Sequence, residues 1–144
     1  MIRLATKEDM QELLRMSKSF FDASGYSELT TFDAKDSETT LSNLINSGWL
    51  LTDGKHSMLG FVVFPMFMNS KTTIAQELFW WVDEEARKTG AGIKILKQTE
   101  KLAKEHGAEA LMMLSLSDLN GKKIGKLYES LGYKQKEQTY MRVL

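Results

Sequence analysis

The sequence predicts a mixed α/β (α+β) fold: a mostly antiparallel central sheet flanked by about four helices, in the order β-α-α-β-β-β-α-β-α-β. Three observations predict it. Two N-terminal stretches repeat apolar residues at helical spacing. Three runs rich in β-branched and aromatic residues then follow one another between residues 49 and 82. Two further stretches of helical spacing, each closed by a glycine, are separated by one short apolar run. Hairpins in the middle of a chain, with helices before and after, imply a mixed sheet carrying helices on its faces.

The elements follow in order. Met1 to Ala5 is a short apolar first strand, and Thr6 with Asp9 resembles a helix start with an acidic residue in the first turn. Met10, Leu13, Leu14, Ser17 and Phe21 keep helical spacing until Gly25. Tyr26 to Ser37 reads as polar and irregular, and a second helix runs from about Glu38 to Asn46, closed by Gly48. Trp49 to Thr52 is a strand that stops at the turn dipeptide Asp53-Gly54. Met58 to Met68 is a long apolar run broken by Pro65, which predicts an exposed strand segment or a bulge. Thr72 to Val82 is the third strand of this group. In helix three, after Gly90, the residues Gly92, Ile95, Leu96, Thr99, Leu102 and Ala103 share one face, while Lys94, Lys97, Lys101 and Lys104 share the other; Gly107 stops it. Leu111 to Leu116 is a strand, Gly121 to Leu131 a helix with Ile124, Leu127, Tyr128 and Leu131 as its stripe, and Tyr133 to Leu144 a terminal strand.

At 144 residues the chain fits a single domain, residues 1–144, around one core. A formal net charge of zero argues against a general binder of polyanions, and hence against nucleic acid as a partner, because such proteins carry an excess of Lys and Arg. The chain has no cysteine, which excludes disulfides, thiolate metal sites and a cysteine nucleophile. No apolar run is long enough to span a bilayer, and the N-terminus turns polar too soon for a signal peptide. The expectation is a soluble protein of the cytoplasm with no membrane partner.

One segment carries chemistry. Arg87-Lys88-Thr89-Gly90-Ala91-Gly92 lies between an apolar strand and an amphipathic helix. A helix N-terminus offers unpaired N–H groups and a partial positive charge, and glycines let the backbone approach an anion closely. The segment lacks the GK[ST] ending of a Walker A loop, and Ile95 stands where a dinucleotide fingerprint needs glycine or alanine. The same residues also suit an ordinary turn and helix start. A second segment, Leu127-Tyr128-Glu129-Ser130-Leu131-Gly132-Tyr133, closes the last helix.

Taken together, the two segments resemble the GNAT superfamily of N-acetyltransferases. Arg87-x-x-Gly90-x-Gly92 matches that family's [Q/R]-x-x-G-x-[G/A] loop, and residues 127–133 match its L-Y-x-x-L-G-[F/Y] segment; the order of elements is similar over essentially the whole chain. The resemblance implies transfer of an acetyl group from acetyl-CoA to an amine. It implies that the backbone N–H groups of Gly90, Ala91 and Gly92 hold the pyrophosphate with help from Arg87, Lys88 and Thr89. The strand near Trp80, Trp81 and Val82 would pair with the pantetheine amides like an added strand. Tyr128 matches the general acid that protonates the departing thiolate. A tyrosine at about 10 against a thiol near 8.5 makes full transfer uphill by roughly 2 kcal/mol, so a late, shared proton is the workable form. Tyr128 also lies on the apolar stripe, where a core side chain belongs.

Glu77 is a carboxyl in an otherwise apolar strand and resembles the family's general base; the alternatives are Gln76, one residue earlier, or a water, and a solvent-facing strand residue is the plainer reading of Glu77. A lysine-like amine costs on the order of 4–5 kcal/mol to neutralise at pH 7, which a base would reduce. Strand alternation puts Gln76 and Glu77 on opposite faces unless a bulge intervenes. Asn120 resembles the asparagine that contacts the cofactor, although it lies eight residues before Tyr128 where seven is common; it also suits the N-cap of the last helix. Lys122, Lys123 and Lys126 fit a solvated helix face. Phe20, Phe21, Tyr26 and Phe32 fall in the region that walls the acceptor site in this fold. One of Trp80 and Trp81 is core and the other lines the groove. His56 and His106 stand in polar surroundings without a partner in the sequence, and no metal site is expected. Only twelve residues follow Gly132 where many family members have two strands, which predicts an exposed sheet edge and a homodimer. The expected activity is N-acetyl transfer to a primary amine of a small molecule or protein. The alternative is a GNAT-fold module that binds acyl-CoA or a protein without transfer.

Overall fold

The computed structural model describes residues 1–144. They form two compact units: Met1–Phe20 with Asp33–Leu114, and Phe21–Phe32 with Ser115–Leu144.

The first unit holds the sheet. Its strands are β1 (Arg3–Leu4), β2 (Leu50–Thr52), β3 (Ser57–Met66), β4 (Asn69–Val82) and β5 (Ala110–Met112), side by side in chain order. Neighbouring strands from β1 to β4 are antiparallel, and β5 joins β4 in parallel. The predicted mixed, mostly antiparallel sheet is therefore the one observed. α3 (Ala91–Glu105) lays Ile95 and Ala103 on Leu51, Leu59, Phe61 and Ala75, and that cluster is the core. Its lysines 94, 97, 101 and 104 are exposed, as the spacing predicts. α1 (Met10–Ser24) begins in this unit and buries Leu13 and Met16.

α2 (Ala34–Ser47) starts a full turn before the predicted Glu38. The Asp33 side chain accepts the Asp36 N–H at 2.9 Å and caps the helix ahead of its first apolar residue. Its C-terminus is closed by Gly48 in the left-handed region, as expected.

Two irregularities in the β3–β4 hairpin matter. Pro65 is exposed, and the register shifts between Pro65 and Met66, which fits a residue that cannot donate to a ladder. A second shift places Phe79 opposite Gly60 but Glu77 opposite Phe61, so Leu78 is the extra residue of a bulge in β4. β4 meets β5 only from Ile74–Ala110 to Gln76–Met112, and pairing ends just before that bulge. β5 is accordingly shorter than the predicted 111–116. The Leu114 N–H donates to Glu77 Oε2 at 2.8 Å instead of to a strand carbonyl.

In the second unit, α4 (Gly121–Ser130) packs Tyr128 against Tyr133, with ring centroids 5.5 Å apart. The terminal strand predicted for residues 133–144 does not form. Lys134 to Gln138 supplies five consecutive polar residues with nothing to bury, and the more apolar end stays exposed at Tyr140, Met141, Val143 and Leu144. A strand without a ladder partner leaves its backbone groups to water and gains nothing over coil.

Candidate active site

In the first unit, the segment that carries the anion-binding signal follows β4 directly. Asp83 leads into a 3-10 turn over Glu84–Thr89, and Gly90, at φ +80°, turns the chain into α3. No side chain caps the N-terminus of α3, so the first-turn N–H groups remain available to an anion. A Cβ on Gly90 would meet nothing within 4 Å, leaving the loop open at this point. Gly92 is small for another reason: a Cβ there would lie 3.3 Å from the Trp80 ring, so its absence lets α3 sit down on β4. Thr89 turns its hydroxyl inward to Ala86 O at 2.6 Å, while Lys88 is exposed. The residues present thus fit a pyrophosphate: uncapped N–H groups, an open glycine and two flanking cations.

Arg87 is held twice. Its Nε donates to Val82 O at 2.9 Å, and its guanidinium carbon lies 5.0 Å from the centre of the Trp81 ring. Trp80 and Trp81 point to opposite faces: Trp80 packs on the core under α3, while Trp81 donates from Nε1 to Asp83 Oδ1 at 2.8 Å. Asp83 is the centre of this region. Arg15 of α1 donates to Oδ1 at 3.2 Å and to Oδ2 at 2.7 Å, and His56 Nδ1 lies 3.1 Å from Oδ2. Burial opposes ionisation of Asp83, but the hydrogen bonds from Arg15, Trp81 and His56 outweigh it and hold the carboxyl below the usual carboxylate range. The same pairing, with a contribution from Glu12, raises Arg15.

His56 therefore has partners that its sequence surroundings did not show, Asp83 and, also at 3.1 Å, Glu85 Oε1. His106 too is engaged, with Nε2 at 3.2 Å from Gly48 O and its ring edge-on to Trp49. Asp83 and Arg15 were missed because their link joins residues 68 apart in the chain. The only sequence signal was an aspartate directly between the apolar strand and the basic loop.

Glu77 is buried, at 5 % exposure, which overturns the reading of a solvent-facing strand residue. It shares the α3 side of the sheet with Phe61, and Gln76, paired with Val62, lies on the other; the bulge falls one residue too late to bring the two together. A carboxyl in such a place is costly unless hydrogen-bonded, and the Leu114 N–H supplies a bond. On the other side of the hairpin, Phe79 stacks at a tilt with Phe20 of α1, centroids 6.4 Å apart.

In the second unit, Tyr128 is buried on α4, and its carbonyl accepts the Tyr133 N–H at 3.0 Å. Asn120 occupies the N-cap of α4, but in a left-handed conformation and without a side-chain cap bond. Its exposed side chain is thus not spent on the helix. Lys122, Lys123 and Lys126 are exposed. Phe21 and Phe32 stack with centroids 5.8 Å apart, and Tyr26 is exposed.

β4, bulged just beyond its short pairing with the parallel β5, thus leads through a glycine loop into an uncapped helix start, an arrangement of an α/β domain that can receive an anion. Residues 7–133 match the model of the acetyltransferase (GNAT) family, and the chain belongs to that family. Its members are acyltransferases that use acetyl-CoA. No curated protein matches the chain in sequence. Among solved structures, it is similar to a predicted acetyltransferase of Clostridium acetobutylicum, solved with acetyl-CoA: 14% identity, 99% of this chain and 94% of the other, TM-score 0.73. A ribosomal-protein-alanine N-acetyltransferase from Brucella melitensis matches at 16% identity over 100% and 99% of the two chains, TM-score 0.70. An aminoglycoside 6'-N-acetyltransferase from Acinetobacter haemolyticus matches at 14% over 100% and 97%, TM-score 0.67. At these identities the likeness is one of fold. No helix is long and apolar enough to cross a membrane.

Proposed function

We propose that this protein transfers the acetyl group of acetyl-CoA to a primary amine of a small molecule or a protein. The observation that carries the reading is the end of β4: a bulge at Leu78 where β5 parts from it, then the 87–92 loop and the uncapped start of α3. The N–H groups of Gly90, Ala91 and Gly92 hold the pyrophosphate, with Arg87, Lys88 and Thr89 beside them. The backbone of Trp81 and Val82 pairs with the pantetheine amides beyond the point where β5 leaves β4. Asn120 contributes its unspent side chain. Acceptors named for the structural neighbours, an aminoglycoside and a ribosomal protein, support both amine classes without choosing between them.

In the transfer, the amine nitrogen bonds to the acetyl carbon and the carbon–sulfur bond breaks. Glu77, directly or through water, accepts the proton that the amine loses. Tyr128 gives its proton to the departing sulfur. One domain, residues 1–144, and a homodimer along the β5 edge complete the reading; a monomer by light scattering would remove the dimer.

Titration calorimetry with acetyl-CoA, followed by thiol release in the presence of an amine panel, tests the proposal. Binding and amine-dependent thiol release are expected. Absence of binding at millimolar acetyl-CoA would overturn it, and binding without thiol release would leave an acyl-CoA-binding module. Tyr128→Phe should lower turnover by about 100-fold or more while the fold is kept, and unchanged turnover removes Tyr128 as the acid.

A further inference from the structure

Arg87 is held by a chain of contacts that a phosphate cradle alone does not require. Three side chains, Arg15, Asp83 and Trp81, line up behind Arg87, and Arg15 comes from 68 residues before Asp83. Arg15 on α1 grips both oxygens of Asp83. Asp83 Oδ1 takes the indole N–H of Trp81. The Trp81 ring lies under the Arg87 guanidinium, and Val82 O takes the Arg87 Nε proton. Each contact fixes a different freedom. Two bonds from one guanidinium fix the plane of the Asp83 carboxylate. The indole bond fixes the rotation of Trp81, and its ring and the Val82 carbonyl then hold Arg87 from two sides. Nη1 and Nη2 of Arg87 take part in none of the hydrogen bonds or ion pairs of the structure.

We propose that Arg15, Asp83 and Trp81 are positioning residues that hold the Arg87 guanidinium over the Trp81 ring, with its two terminal nitrogens ready for a phosphate oxygen of the acyl-CoA. The inference rests on the acyl-CoA reading of the loop. A long, flexible arginine ordinarily loses its rotamer freedom when a ligand arrives; here the loss is taken at folding, so less of it opposes binding. The chain acts on cofactor affinity and on no bond that is made or broken. Its signature is a rise in KM for acetyl-CoA rather than a fall in kcat.

Calorimetric Kd values for CoA, with KM and kcat for acetyl-CoA, test it in wild type, Trp81→Leu, Trp81→Phe, Asp83→Asn, Arg87→Met and the Trp81→Leu/Arg87→Met double variant. Trp81→Leu should raise Kd and KM about three- to tenfold, the range of a partly desolvated cation–π contact. Trp81→Phe and Asp83→Asn, which keep a ring under Arg87 but loosen it, should raise them less and keep the fold if Trp81→Leu does not. In the Arg87→Met background, Trp81→Leu should add nothing, because its effect passes through Arg87. Equal losses in both backgrounds, or a fall in kcat at unchanged Kd, overturns the proposal and leaves Trp81 as core packing. Wild-type protein that fails to bind CoA overturns the acyl-CoA reading itself, whereas wild-type binding with unchanged affinity in Trp81→Leu overturns only the positioning chain.

Discussion

Replacing Gly90 by alanine separates the backbone strain of the loop from its contact with the cofactor. Gly90 sits at φ +80°, with nothing within 4 Å of the position a Cβ would take. The substitution therefore creates no clash, and its cost is conformational. A Cβ in the left-handed region costs roughly 1–2 kcal/mol. Alanine also has less backbone freedom to lose on folding, which returns about 0.4–1 kcal/mol. The net destabilisation is about 0.5–1 kcal/mol, which for a domain of this size lowers Tm by roughly 1–4 °C. The methyl group also stands at the N-cap of α3, where the phosphate is read to approach, and should weaken acetyl-CoA about tenfold. A tenfold weaker Kd removes about 1.4 kcal/mol of ligand stabilisation at saturating acetyl-CoA. Thermal unfolding with and without acetyl-CoA reads both quantities. An unchanged or higher Tm without ligand would refute the strain argument. A ligand-induced shift equal to that of wild type would refute the phosphate cradle.

Other substitutions probe the remaining parts. Gly60→Ala would place a Cβ 2.5 Å from the Phe79 ring, so equilibrium denaturation should show a loss of about 1–3 kcal/mol; an unchanged midpoint would mean that the ring is free to move away from the bulge. Glu77→Gln keeps an oxygen for the Leu114 N–H and should lose less than about 1.5 kcal/mol of stability. Turnover should nevertheless fall about 100-fold, and turnover equal to wild type would show that Glu77 serves only to tie Leu114. Asp9 accepts bonds from both terminal nitrogens of Arg3 and from the Thr6 N–H, each at 2.8 Å. The Arg3 bonds, then that of Thr6, lower its pKa from 3.8 to about 2 against the cost of burial. A lowered carboxyl stabilises above its unfolded pKa and ceases to do so as pH falls through the folded value. Asp9→Asn should thus cost about 1–2 kcal/mol at neutral pH, discounted for the half-exposed Arg3 side, and almost nothing near pH 2. A difference from wild type that stays constant across that range of urea unfolding midpoints would refute the ion-pair account.

Local pattern made much of this protein readable. Apolar spacing and closing glycines located α1, α3 and α4, the hairpin strands and the bulge at Pro65. Asp33 hid the start of α2 because its capping turn holds no apolar residue but the small, exposed Ala34, too little to extend the period. Residues 133–144 show the opposite limit: they read as a terminal strand, but a strand exists only where another backbone pairs with it. The loop at Arg87–Gly92 was legible because helix N-termini and glycines act locally. Its supports, Arg15 and His56, were not, because ion pairs across the fold leave no period in the sequence.

The sequence by itself determined the mixed sheet with its helices, the two family segments and hence the donor cofactor, since each depends on residues within a turn or a strand of one another. Only the tertiary structure decided that Glu77 is buried with its carboxyl on Leu114, that the β4 bulge falls at Leu78 rather than between Gln76 and Glu77, and that Arg87 rests on a Trp81 held by Asp83 and Arg15. Those facts depend on strand register and on contacts between residues distant in the chain, where a shift of one residue exchanges the faces of a strand.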